Sequence, residues 1–196
     1  SVSNHSDLAA LIEKSAEYND AAVLAISRLA GEGGDRQAGR GDYYLSQAEL
    51  DLIFEVSKAF HEKGKTLSIV LNTDGVIDTS EWSHRADAIL LAYLGGQETG
   101  NQVADILTGH VNPSGKLAQT FPINYKDVPN ASTFPGFDVN EDGKPDFILN
   151  NEGIYVGYRY YTSFGVDVAF PFGHGLSYSD FVISNRKLTS LNPGAT

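Results

Sequence analysis

Cysteine is absent from the 196 residues, so neither a disulfide framework nor thiolate chemistry can operate in this chain. Methionine is absent too, and position 1 is Ser1; the chain is therefore expected to be a piece of a longer polypeptide. Basic residues are scarce. The 14 Lys and Arg stand against 25 Asp and Glu, and the resulting formal net charge of −11 argues against nucleic acid or an anionic membrane surface as partner. Neutral ligands stay open. No apolar run approaches the roughly 18 residues of a membrane span. Ser1-Val2-Ser3-Asn4-His5 has neither the basic nor the apolar region of a signal peptide. His5, His61, His84, His110 and His174 show no metal-ligand spacing.

What is present is core-forming material, since hydrophobic residues make up 41% of the chain, enough for one sizeable domain. Ser6-Asp7 followed by Leu8, Leu11 and Ile12 on one face predicts a helix over 6–18. The apolar run 21–27 (AAVLAIS) predicts a strand buried on both faces, as in a parallel sheet. Ser46 and Glu49 form a capping box for a helix reaching about Lys63, and Gly64 supplies its stop. Strands are expected again at 66–71 and 88–92, and the run 95–100 leads into a helix ending near Gly109. This alternation predicts an α/β fold: a mainly parallel open sheet flanked by helices on both faces. From about 111 the texture changes, with a long Pro-, Asn-, Asp- and Gly-rich loop over 124–152. An irregular, aromatic-rich stretch from Tyr155 to Phe172 follows, expected to form short strands.

Chemistry-bearing residues cluster in two places. Glu32 sits in Gly31-Glu32-Gly33-Gly34-Asp35-Arg36, just past the carboxyl end of the 21–27 strand, where open α/β sheets bind ligands. The flanking glycines allow close approach of a ligand to the backbone; the alternative is an ordinary solvated turn. Asp35 and Arg36 are candidates to orient the loop or to hydrogen-bond a ligand hydroxyl. Their alternative is an exposed ion pair worth about 0–1 kcal/mol. The second cluster runs from Asp138 to Asp146. Asp138, Asn140, Asp142 and Asp146 occupy positions 1, 3, 5 and 9 of a calcium loop, with Gly143 at position 6. Position 12 is Leu149 rather than an acid, and Asp/Asn/Gly clusters also make ordinary loops. Asn112-Pro113-Ser114-Gly115-Lys116-Leu117 lacks the earlier glycine and the following Ser/Thr of a phosphate loop and is not one.

Six segments in order, 25–36 (AISRLAGEGGDR), 42–53 (DYYLSQAELDLI), 95–98 (GGQE), 112–122 (NPSGKLAQTFP), 151–161 (NEGIYVGYRYY) and 170–181 (FPFGHGLSYSDF), resemble the C-terminal α/β sandwich domain of glycoside hydrolase family 3, the β-glucosidase and β-xylosidase family. The resemblance implies a retaining β-glycosidase in which Glu32 is the general acid/base, without a required cofactor, structural calcium being the one candidate. It implies that the nucleophilic aspartate lies on a separate (β/α)8-type barrel, which nothing here resembles. The expected partners are therefore the segment carrying that barrel and a β-glucoside or oligosaccharide substrate. It also implies that 1–181 is the sandwich domain without its first strand, and that 182–196 is a linker or the start of a following β-sandwich. Trp82, Tyr43 and Tyr44 are candidates to stack on a leaving sugar; the alternative for each is core packing. Two other readings stand beside the enzyme. One is a noncatalytic carbohydrate-binding or scaffold domain, against which the intact Gly31–Arg36 loop argues. The other is a flavodoxin-like regulatory domain, disfavoured by the acidic balance and the lack of a phosphate loop.

Overall fold

The computed structural model describes residues 5–28, 35–185 and 187. Helix α1 (His5–Tyr18) leads into strand β1 (Ala21–Ser27), followed by α2 (Gln47–His61), β2 (Thr66–Asn72) and β3 (Ala88–Leu91). The strands form one parallel sheet in the order β1-β2-β3, with Ala22 opposite Leu67, Leu24 opposite Ile69 and Ile26 opposite Leu71. Ile69 and Leu71 in turn pair with Ile89 and Leu91. The α/β class expected from the strand–helix alternation is the class observed.

Local chemistry explains the boundaries. Glu49 N–H donates to Ser46 Oγ at 3.3 Å and Ser46 N–H donates to Glu49 Oε2 at 2.8 Å, so the capping box starts α2. Gly64, at φ +69°, takes the left-handed conformation beyond its end, which a side chain would strain. Lys65 Nζ donates to the carbonyls of Ala16 and Glu17, placing a cation at the carboxyl end of α1.

The core is one cluster on one face of the sheet. Ile12 and Ala16 of α1 and Ile53, Val56, Ala59 and Phe60 of α2 meet Ala22, Ile26, Leu67, Ile69 and Leu71. Burying a Leu or Ile side chain contributes roughly 1.5–3 kcal/mol. The opposite face differs from expectation. Central β2 is buried on both sides, with Val70 hidden as well, whereas β1 alternates and Val23 on its outer face is 53% exposed. Among the described residues α2 packs against β1 and β2, and the outer side of β1 is left open at Val23. The run AAVLAIS does not report this, because an alanine-rich strand reads as apolar whichever way it faces.

Beyond the sheet come α3 (Thr99–Leu107), a two-stranded antiparallel pair of β4 (Phe121–Pro122) and β5 (Val168–Phe170), and α4 (Tyr158–Phe164) between them in sequence. Of the short strands expected over Tyr155–Phe172 only β5 forms. Residues 158–164 are helical, because Gly157 (φ +59°) and Gly165 (φ +63°) bracket a single aromatic helix whose Tyr161 is buried. The segment 112–117 is laced to residues 173–178: Leu117 N–H donates to His174 O at 2.8 Å, Gly173 N–H to Leu117 O at 2.8 Å, and Tyr178 N–H to Asn112 Oδ1 at 2.9 Å.

Candidate functional site

The carboxyl ends of β1 and β2 bring together residues from three loops. Glu32 and the rest of 29–34 lie outside the described residues, so the site is built from what flanks them. On the near side is Arg28, immediately after β1. It is only 8% exposed and makes a two-pronged pair with Glu49, Nη1 to Oε1 and Nη2 to Oε2 each at 2.8 Å. Burial works against the charge on Glu49, yet the hydrogen bonds from Arg28 and from Ser46 outweigh it and hold that carboxyl below its ordinary range. Arg28 Nε donates further to Asp42 O at 2.8 Å.

On the far side is Arg36, which is half-buried. It does not pair with its neighbour Asp35. It donates from Nε to Asp42 Oδ1 at 2.6 Å, from Nη2 to Asp42 O at 3.2 Å and from Nη1 to Val76 O at 3.1 Å, with Asp74 Oδ1 at 3.5 Å. Asp42 is held below the ordinary carboxylate range: burial opposes its charge, and the Arg36 hydrogen bond together with the Gln37 N–H outweighs that cost. Asp35 is exposed, and its backbone carbonyl accepts Gln37 Nε2 at 3.2 Å. The two adjacent candidates thus part company, Arg36 turning inward and Asp35 outward.

Arg28, Asp42 and Asp74 carried no role in the sequence reading, and Glu49 only that of a helix cap. Arg28 and Asp42 do fall inside two of the six family-like segments, but only the fold shows that those segments touch. Asp42 is presented by a tight turn in which Gly41 N–H donates to Tyr44 O at 2.8 Å, and Gly41 adopts φ +86°, a conformation that favours glycine.

The proposed sugar-stacking aromatics are corrected in two of three cases. Trp82 is 1% exposed and its indole N–H donates to Asp78 O at 2.7 Å, so it is core. Tyr43 is buried too, edge-on to Tyr44 at 4.9 Å and to Tyr125 at 5.2 Å between ring centroids. Tyr44 is half-buried under the Arg40 guanidinium, 5.7 Å from its ring centroid. Beside Arg36 and Gln37 lies a cleft of about 280 Å³ walled by Tyr43, Val76, Tyr125 and Phe134.

In the 138–146 loop the oxygens are turned onto the loop's own amides. Asp138 accepts from Asp142 N–H at 3.1 Å and Gly143 N–H at 2.8 Å; Asp146 accepts from Val139 N–H at 2.8 Å and Asn140 N–H at 3.2 Å; Asp142 accepts from Lys144 N–H at 2.9 Å. Among the described residues no three His, Asp or Glu side chains converge closely enough to hold a metal ion, so the calcium expectation gains no support.

Residues 5–178 match the family model described as the glycosyl hydrolase family 3 C-terminal domain. β-Glucosidase A of Butyrivibrio fibrisolvens is 35% identical over 205 residues, a match covering 90% of this chain and 23% of that protein. An exo-α-(1→6)-L-arabinopyranosidase of Bifidobacterium breve is 39% identical over 136 residues, 69% of this chain and 16% of that one. The structure of β-glucosidase 3B from Thermotoga neapolitana in complex with glucose is similar at a TM-score of 0.83 and 50% identity, covering 88% of this chain and 24% of that one. The chain spans at most about a quarter of the length of these relatives.

Proposed function

Because the chain belongs to the glycosyl hydrolase family 3 C-terminal domain family, we propose that it is the acid/base-bearing part of a retaining β-glycosidase that removes nonreducing-end β-glucosyl units. Its partner is the segment carrying the (β/α)8-type barrel and the nucleophilic aspartate. The observation that carries this reading is the pair of arginines, Arg28 and Arg36, fastened on either side of the 29–34 segment at the carboxyl ends of the strands. The short span of the relatives covered, and a sheet face left open at Val23, support a chain that works joined to more polypeptide. The named relatives differ in the sugar they release, so sugar choice is assigned to the barrel-carrying segment.

The chemistry follows from two carboxyl groups about 5–5.5 Å apart. The aspartate attacks the anomeric carbon while the glycosidic C–O bond breaks and Glu32 gives its proton to the departing oxygen. Water then attacks the glycosyl-enzyme, its proton returning to Glu32. Glu32 can serve as an acid near neutral pH only if its pKa rises above about 4.3. Desolvation by the docked barrel and repulsion from the nucleophile's charge both act in that direction. In the assembled enzyme, Glu32→Gln is expected to lower kcat/KM on alkyl β-glucosides by about 10²–10⁴ and to remove the alkaline limb of the pH–rate profile, the fall in rate as the acid loses its proton. An unchanged rate and an unchanged acidic-to-neutral optimum would overturn the reading.

A further inference from the structure

Asp42 is the point at which both ends of the 29–34 segment are held. Its carbonyl oxygen accepts from Arg28 Nε at 2.8 Å, on the β1 side, and from Arg36 Nη2 at 3.2 Å, on the far side. Its carboxylate accepts from Arg36 Nε at 2.6 Å and from Gln37 N–H at 2.5 Å. All three guanidinium nitrogens of Arg36 donate to protein acceptors, so this arginine is committed to the framework. Arg28 is tied the same way, to Glu49 at the start of α2 and to Ser27 O at 2.7 Å. A single exposed ion pair would hold little. Two part-buried arginines meeting at one turn residue are different: any residue at 42 would supply the carbonyl they share, but only the carboxylate holds Arg36 Nε and the Gln37 N–H, and removing it leaves part-buried Arg36 short of its charged partner.

We infer that Asp42 is a positioning residue whose carboxylate fastens Arg36 and the Gln37 amide to the turn whose backbone carbonyl also holds Arg28, and so fixes the separation of the two arginines that flank the segment carrying Glu32. This rests on the reading of Glu32 as general acid/base. Asp42 touches neither substrate nor the reacting atoms; it acts through the placement of Glu32. A displacement of about 1 Å in a reacting group can cost up to about 100-fold in rate.

The test uses the assembled enzyme and two β-glucosides, one releasing 2,4-dinitrophenolate and one releasing an alkyl alcohol. Dinitrophenolate departs without protonation, whereas the alcohol needs the acid. In Asp42→Ala, kcat/KM is expected to fall about 10–100-fold on the alkyl glucoside and by less than about threefold on the dinitrophenyl glucoside. Asp42→Asn, which like the alanine variant keeps the backbone carbonyl and in addition keeps one side-chain acceptor, is expected to show the same selectivity at smaller size and serves if the alanine variant does not fold. Glu32→Ala, measured alongside, sets the full selective loss. Equal losses on both substrates in the Asp42 variants, with a selective loss in Glu32→Ala, would overturn the positioning role and leave the acid/base reading standing. The absence of any selective loss in Glu32→Ala would overturn both.

Discussion

The parallel sheet with α1 and α2 and the stretch from Thr99 onward are both rich in large apolar residues, and they treat them oppositely. In the first, Leu67, Ile69, Leu71, Ile53 and Phe60 are buried in one cluster. In the second, Phe164, Phe172, Phe181, Leu176 (80% exposed) and Val182 (89% exposed) face outward, with Phe121 and Tyr161 as the buried exceptions. The sheet region closes on itself because consecutive strand–helix units stack their apolar stripes face to face. The later stretch is held by backbone and side-chain hydrogen bonds between 112–117 and 173–178 instead, and these align the chain without covering its side chains. Exposed apolar surface on this scale is what interaction faces look like.

The contrast is broken most directly in β2. Ile69→Ala is expected to destabilise the isolated chain by about 2–5 kcal/mol in urea unfolding, through lost burial and the cavity left behind. A shift well under about 1 kcal/mol would mean that the cluster is loosely packed and that the sheet region is no better closed than the rest.

The arginine-braced loops come next. Glu49→Gln is expected to cost about 1–3 kcal/mol near neutral pH, since it leaves a buried Arg28 without its charged partner. Glu49 and Asp42 are both held below their ordinary range, so their stabilisation is complete above that range and disappears as pH falls through the lowered values. Urea midpoints of the parent and Glu49→Gln chains should therefore converge in acid. A gap of constant size from neutral to acid pH would show that the ion pair contributes nothing.

The smallest effect belongs to the outward-facing stretch. Leu176→Ala should alter the stability of the isolated chain by no more than about 0.5 kcal/mol in the same unfolding assay. A loss as large as that of Ile69→Ala would erase the distinction between the two regions.

Much of the fold was legible because local rules act over a few residues. The Ser46–Glu49 capping box, the Gly64 stop and the runs at 21–27, 66–71 and 88–92 each carry their signal within one turn or one strand. The helix at 158–164 was misread as strand, since Tyr, Phe and Thr favour strands on average and only the bracketing glycines mark a short helix. At the site, the glycine-flanked Glu32 could be suspected from sequence, and Arg36 could be named as a candidate to orient the loop, though an exposed ion pair was the alternative for it. The choice of Asp42 over adjacent Asp35 as the partner of Arg36 could not.

The amino-acid sequence by itself determined the α/β class, the element order as far as α3, the family and the candidate acid, because these depend on periodicity, caps and contiguous motifs. Only the tertiary structure decided that β2 is buried on both faces while β1 is open at Val23, that Trp82 and Tyr43 are core, and that Arg28 and Arg36 meet at Asp42. Those outcomes depend on which distant segments come within about 3 Å of one another, and hydrogen-bond geometry at that range is set by the packed backbone rather than by spacing along the chain.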